Sequence, residues 1–248
     1  MQHKKIVDFG FSLITESEKY ILLERIFNSI VHRYDIMNDL MSFGMHRIWK
    51  NLLLKCSNIR SEYVTLDLAS GTGDITEKLS KFIRSGFIVS LDINKKMLKT
   101  GRDKLRNRGI IKNIFYIQAN AECLPFKTNT FDNVIVSFGL RNFTQKEKAI
   151  QSIFRVLKSG GELLILEFST PCSKFLKKIY DYYSFNYLPK LGKIVAGNSE
   201  SYQYLVESIR MHPNQNKLQK ILLKSGFYSA EYTNILGGIV AIHKSYKF

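Results

Sequence analysis

Acidic residues are the scarce class in this 248-residue chain: 21 Asp and Glu stand against 37 Lys and Arg, a formal charge of +16. Such an excess suits an anionic partner, either nucleic acid or a membrane surface. A coding bias produces the same excess, because Lys, Asn and Ile are abundant together. The basic residues are scattered and no aromatic RNA-binding strand accompanies them, which favours bias with some membrane attraction over nucleic acid. Cysteine is rarer still, with three residues. Cys56, Cys123 and Cys172 are far apart and odd in number, which argues against a disulfide framework or a metal site and for a reducing cytoplasm. With four prolines, no repeats and no low-complexity tract, no linker divides the chain. No apolar run has the length of a membrane span, and residues 1–15 lack the layout of a signal peptide. What remains is 45% hydrophobic and 23% charged, enough for one α/β core with a helical extension.

The hydrophobic pattern changes character along the chain. Residues 16–60 read as helix, with Ile21, Leu22, Ile26 and Ile30 at helical spacing. After Ser61, short apolar runs at Val64–Leu68, Phe87–Ile93, Phe115–Gln118, Asn133–Phe138 and Glu162–Phe168 alternate with helical stretches such as Asp74–Arg84 and Lys95–Arg108. Such alternation predicts βαβ units and a parallel sheet. Ala230–Leu236 and Ile239–Lys244 flank Gly237-Gly238 and predict a hairpin adding an antiparallel edge. The stretch from Ser169 to about Gln215 interrupts the alternation at the sheet's carboxyl edge, where open α/β folds bind ligands. The resulting divisions are a helical cap (1–60), a core (61–168), a lid insertion (169–215) and a terminal helix with hairpin (216–248).

"TLDLASGTGDIT" (65–76) places Gly71 and Gly73 in a turn between the first strand of the core and a helix, where glycine permits a tight bend and close ligand approach. The dinucleotide fingerprint requires a third small residue, and Thr76 stands there. Asp67 and Asp74 would also repel a pyrophosphate. A ligand cationic near this loop fits better, and S-adenosylmethionine carries a sulfonium and an amino group but no phosphate. Asp92 ends the next strand and can accept hydrogen bonds from ribose hydroxyls; alternatively it caps the helix that follows. "QANAECLPF" offers Asn120 and Ala121 to an adenine edge, and Ser137 sits at the end of the strand that runs into "GLRNF".

These motifs, together with "YDIMNDLMSFGMHRIWK" (34–50), "SFGLRNFT" (137–144), "LEFSTP" (166–171) and "SYQYLVESIRMHPNQ" (201–215), resemble the class I S-adenosylmethionine-dependent methyltransferases. More narrowly, they resemble the C-methyltransferases of ubiquinone and menaquinone synthesis, along nearly the whole chain. The resemblance implies a Rossmann-like α/β fold with a mostly parallel seven-stranded sheet. S-adenosylmethionine would be the cofactor, with Thr72, Asp92, Asn120, Ala121 and Ser137 binding it. The substrate implied is a polyprenylated quinol, either demethylmenaquinol or 2-methoxy-6-polyprenyl-1,4-benzoquinol. A cytoplasmic enzyme visiting the inner membrane surface, without nucleic acid, follows; a homo-oligomer or a quinone-biosynthesis complex stays open. Ser70 stands where relatives tend to carry glycine and fits if its φ is negative.

A ring carbon becomes nucleophilic when a neighbouring hydroxyl loses its proton. In that context Arg141 is a fixed cation for a phenolate, and Asn142 orients a hydroxyl or a water. Without that context the same two residues read as an ordinary loop charge. Arg141 cannot itself be the base, because guanidinium stays protonated. His212, Tyr202 and Tyr34 are the other base candidates, while Glu207 and Arg210 read as a surface pair. The aromatic and basic stretch 175–195 serves either as a wall for the prenyl chain and a membrane-facing edge or as a core-facing lid, and helical spacing favours the latter for most of its tyrosines. The methionines of "IMNDLMSFGM" read as helix packing. Two rival classes remain, a nicotinamide oxidoreductase and a basic RNA methyltransferase.

Overall fold

The computed structural model describes residues 5–187 and 200–248. A short hairpin, β1 (Ile6–Phe9) and β2 (Ser12–Thr15), leads into α1 (Glu16–Ile30). Thr15 starts that helix because its hydroxyl accepts from the Glu18 N–H while Glu18 reaches back to the Thr15 N–H, satisfying two otherwise orphaned donors. The expected helix over 16–60 is broken into α1, α2 (Tyr34–Ser42) and α3 (Met45–Lys55). A short 3₁₀ turn at Val31–Arg33 follows α1, and positive φ at Phe43 and Gly44 turns the chain between α2 and α3. Hydrophobic spacing alone carries no sign of a change in helix direction.

Five strands then run parallel: β3 (Val64–Leu68), β4 (Phe87–Asp92), β5 (Ile114–Gln118), β6 (Phe131–Ser137) and β7 (Leu157–Phe168). The crossovers include α4 (Asp74–Leu79), α5 (Lys95–Asn107) and α6 (Lys146–Val156). After β7 come α7 (Lys174–Asn186), α8 (Glu200–Met211) and α9 (Gln215–Lys224), then β8 (Ser229–Ile235) and β9 (Val240–Tyr246). The sheet order is β5-β4-β3-β6-β7-β9-β8. The terminal hairpin does form an antiparallel edge, with its two strands in reverse sequence order. β9 inserts between β7 and β8, antiparallel to both, and β8 forms the edge.

The inner strands are apolar on both faces, as a sheet covered by helices requires. Along β6, Val134 and Val136 pack with α6 and α9, whereas Ile135 packs on the other side with Trp49, Leu53, Ile75 and Leu79. Among the expected strands and crossover helices, two boundaries shift by five residues and the others by two or fewer. The first crossover helix stops at Leu79, after which the N–H groups of Arg84, Ser85 and Gly86 converge on the Ser61 carbonyl. β7 begins five residues early, with an irregular register opposite Phe131 and Asn133 that accommodates the Gly160-Gly161 bend. Strand order reverses between β3 and β6, and the crevice at their carboxyl ends is where ligands bind such sheets.

Candidate active site

The carboxyl ends of β3 and β6 are strained alike. Ala69 has φ +57° and Phe138 has φ +56°, positive values that non-glycine residues seldom adopt. Between them Gly139 comes so close that a side chain there would meet the Ala69 Cβ at 2.6 Å. Ser70 is not among the positive-φ residues, so a serine fits the turn, and its hydroxyl accepts from Ser90 at 2.9 Å. Two cavities meet at this point, sharing Tyr34, Ala69, Gly71, Ser137 and Phe138 as walls.

The larger cavity, about 350 Å³, runs over the ends of β4 and β5 beneath α1. Leu91, Ile93, Met97, Ala121 and Phe143 give it apolar walls. Its charged lining consists of Glu24, Asp92 and Glu122, with no Lys, Arg or His among the described residues. The Asp92 carboxylate accepts from the Gly71 and Asn94 N–H groups, each at 2.8 Å, which fixes its plane and leaves a lone pair free on each oxygen. Burial raises the Asp92 pKa, against the pull of those N–H donors. Asn120 is also held: its Nδ2 donates to the Tyr20 hydroxyl and its Oδ1 accepts from the Glu122 N–H. Ser137 differs, because its buried hydroxyl has no partner among the described residues, as is also true of Thr144 in the same lining. A cavity with three carboxylates, no basic side chain and an unpartnered Ser137 hydroxyl fits a cationic nucleoside such as S-adenosylmethionine and does not fit a pyrophosphate.

The smaller chamber, about 50 Å³, lies between the glycine turn and the cap helices α2 and α3, and it is built from charges. Arg141 and Glu167, at the ends of adjacent strands, form a buried ion pair at 2.8 Å with side chains 7% and 2% exposed. Arg141 also donates to the Phe138 carbonyl at 2.6 Å, and Glu167 accepts from the Arg141 and Phe168 N–H groups. Lys50 and Lys104 both reach Asp74, at 2.7 and 2.9 Å, and Lys104 bridges on to Asp35. Burial alone would raise the Asp74 carboxyl, but the two ammonium groups outweigh it and hold the pKa well below the usual range. Beneath them Asp67 is pushed up to about 7 by burial, although Thr76 donates to it at 2.5 Å.

A family model described as the ubiE/COQ5 methyltransferase family matches residues 14–247, nearly all of the chain. The chain belongs to this family. A curated relative from Wigglesworthia glossinidia brevipalpis, named ubiquinone/menaquinone biosynthesis C-methyltransferase UbiE, is 63% identical over 99% of this chain and 98% of its own length. One of the same name from Pasteurella multocida is 54% identical over 97% of this chain and 90% of its own. Solved methyltransferases share the fold at lower identity. An Aquifex aeolicus S-adenosylmethionine-dependent methyltransferase superposes with a TM-score of 0.62 at 15% identity, covering 85% of this chain and 96% of its own. A Methanococcus maripaludis structure described as a putative S-adenosyl-L-methionine-dependent methyltransferase gives 0.61 at 19%, with 88% and 91% covered. The ubiE/COQ5 chain is thus an S-adenosylmethionine-dependent methyltransferase with the expected Rossmann-like architecture.

Within this ubiE/COQ5 member the residues singled out from the sequence divide unevenly. Asp92, Asn120, Ala121 and Ser137 all line the larger cavity. Thr72 lines the smaller one, and its hydroxyl is donated to Asp35 at 2.7 Å. The neighbours Arg141 and Asn142 separate: Arg141 faces the small chamber, whereas Asn142 faces the large one and accepts from the Tyr204 hydroxyl at 3.1 Å. Arg141 is no isolated cation, because Glu167 neutralises it. Tyr34 lines both cavities, with burial raising its pKa. His212 and Tyr202 are buried but line neither cavity. Glu207 and Arg210 do not pair with each other. Glu207 accepts from the Phe11 N–H at the β1–β2 turn, and Arg210 pairs with Asp181 of α7.

The core-facing expectation for the aromatic insertion is met only by Tyr180, which packs under Arg210, and Tyr183, both half-buried. Phe175, Tyr182, Phe185 and Tyr187 are exposed, and only Ser184 of α7 is fully buried. Met37 does pack in the cap, with Ile30, Val31 and Met97. Residues 188–195 of the aromatic stretch lie outside the described residues. Glu167, Glu122 and the Asp39–His46 pair were not singled out from the sequence. Glu167 had a signal, since it ends the strand next to Arg141. The others come from helices and turns remote in sequence.

Proposed function

We propose that this methyltransferase transfers a methyl group to a ring carbon of a polyprenylated quinol, taking demethylmenaquinol to menaquinol and 2-methoxy-6-polyprenyl-1,4-benzoquinol to its 5-methyl product. The observation that carries the reading is the pair of cavities of opposite character meeting at Ser137 and Phe138, in a chain of this family. S-adenosylmethionine supplies an electrophilic methyl group on its sulfonium. Asp92 accepts the ribose hydroxyls, Asn120 and Ala121 border the adenine, and the Ser137 hydroxyl donates to the ligand. Thr72 acts by fixing the glycine turn, since Asp35 holds its hydroxyl. The chamber favours phenolate through donors already in place: Arg141, immobilised by Glu167 and the Phe138 carbonyl, offers a directed N–H at no cost of reorganisation. Asn142, braced by Tyr204, orients the ring or a water from the other side. Holding ring and donor in line contributes roughly 7–11 kcal/mol in favourable cases.

A prenyl tail resides in a bilayer, so the enzyme must work at the membrane surface. Among the described residues no helix is long and apolar enough to cross a membrane. The exposed face of α7 combines Phe175, Ile179, Tyr182 and Phe185 with exposed Lys174, Lys177 and Lys178, and exposed Phe11, Leu13 and Phe43 add to the apolar surface. Apolar side chains beside lysines suit anionic headgroups. Lys190 and Lys193 lie outside the described residues. The purified protein should methylate a short-chain quinol with S-adenosylmethionine, with the product identified by mass spectrometry. Cells lacking the protein should accumulate the unmethylated precursor, which names the substrate. Methylation of RNA with no activity on either quinol would overturn the proposal.

A further inference from the structure

The quinol chemistry proposed above needs a group to accept the hydrogen that the methyl replaces, and Arg141 cannot serve. We propose that His46, oriented by Asp39, is the general base that removes this ring proton. His46 lines the small chamber beside Tyr34, Phe138 and Arg141 and is 5% exposed. Its Nε2 lies 2.8 Å from the Asp39 Oδ1, and its Nδ1 is buried without a partner among the described residues. Asp39 is itself gripped in bidentate fashion by Arg47, at 2.7 and 2.6 Å. That grip is the main reason its pKa falls to about 2, with His46 contributing. An ionised Asp39 can only accept, so the neutral imidazole carries its proton on Nε2 and keeps an unshared lone pair on the buried Nδ1.

The groups around His46 keep it neutral. Burial and the Lys50 ammonium lower its pKa, against opposing pulls from Asp39 and Asp74. Other groups in or beside the chamber are less suited, Asp74 among them, since it is held by Lys50 and Lys104. Glu167 is bound to Arg141, Tyr34 holds its proton more tightly than a free phenol, and Asp67 already accepts from Thr76. In the step itself, the ring carbon that has gained the methyl still bears its hydrogen. That C–H bond breaks, its electron pair restores the aromatic ring, and the proton passes to Nδ1. The resulting imidazolium is stabilised by Asp39 and later gives its proton to water. Asp39 is a positioning residue, comparable to the carboxylate that orients a catalytic histidine elsewhere.

The test compares wild type with His46→Gln and Asp39→Asn, using quinol carrying deuterium at the methylated carbon. Loss of a general base should lower kcat by roughly 10²–10⁴-fold and raise the deuterium isotope effect on kcat, because proton removal becomes limiting. S-adenosylmethionine affinity by calorimetry should stay near wild type. Asp39→Asn should show a smaller fall in the same direction, and it serves alone should His46→Gln fail to fold. A reading independent of turnover is the ¹⁵N spectrum of the cofactor-free protein at neutral pH. It should show the His46 Nδ1 unprotonated and Nε2 protonated. Wild-type turnover without an isotope effect in His46→Gln, or a proton on Nδ1, would overturn the proposal. If wild type itself methylates neither quinol, the functional reading fails instead.

Discussion

The two cavities share five walls yet are built in different ways. The larger is assembled from consecutive strand ends, and its polar groups are tied to backbone only a few residues away or to the adjacent strand: Asp92 to Asn94 and Gly71, Asn120 to Glu122. The smaller is assembled from side chains distant in sequence and held by ion pairs: Arg141 to Glu167, Lys50 to Asp74, Asp35 to Lys104. A site made of locally satisfied groups can bind a ligand whose charge is fixed. A site made of preorganised buried charges can stabilise charge that changes during a reaction. On the proposed reading, binding and chemistry are divided at the Ser137–Phe138 boundary, with Asn142 alone reaching the reaction from the larger cavity.

The largest effect expected is on the ion pair that anchors the reactive side. Glu167→Ala leaves the Arg141 guanidinium buried without its partner and should cost about 3–5 kcal/mol of stability, read from urea unfolding. A loss below 1 kcal/mol would mean that water already solvates the pair. Arg141→Lys keeps the charge but loses the planar fork. Turnover should fall roughly 10²–10³-fold, the range for losing one directed donor; an unchanged kcat would assign Arg141 to structure alone.

Asp67, beneath the turn, gives a pH signature. Its folded pKa of about 7 lies above the ordinary 3.8. The protonated form therefore favours folding: that stability is complete below about pH 4 and is lost as pH rises toward 7. Asp67→Asn should flatten this decline in thermal unfolding, and an unaltered pH profile would show that Asp67 is ionised throughout. The smallest effect belongs to the outer face. Replacing Lys174, Lys177 and Lys178 with glutamine should weaken binding to anionic liposomes by at most about 1 kcal/mol per residue and slow methylation of long-tailed quinol, sparing a short-tailed one. Equal losses on both substrates would point to folding.

The same contrast explains what could be read from the sequence. Parallel strands are continuous apolar runs, so Val64–Leu68 was legible to the residue. The groups at strand ends, from Asp92 to Ser137, followed from it. Thr76 was legible as a departure from the dinucleotide pattern, but not as the donor to Asp67. Asp74 looked repulsive to phosphate, yet Lys50 and Lys104, 24 and 30 residues away, neutralise it. Arg141 looked like a free cation because Glu167 lies 26 residues on, in the next strand. Hydrophobic periodicity reports burial and not ion pairing, so the charged chamber stayed hidden while its frame was visible.

The separation of binding from chemistry is tested most directly by calorimetric titration of S-adenosylmethionine into Asp92→Ala and Arg141→Lys, both checked for folding. Loss of hydrogen bonds to a charged acceptor should cost Asp92→Ala about 1.5–3 kcal/mol, roughly 10- to 150-fold in Kd. Arg141→Lys should bind within about twofold of wild type, a difference under roughly 0.5 kcal/mol. If Arg141→Lys loses as much affinity as Asp92→Ala, or Asp92→Ala loses none, the two cavities do not divide the work in this way.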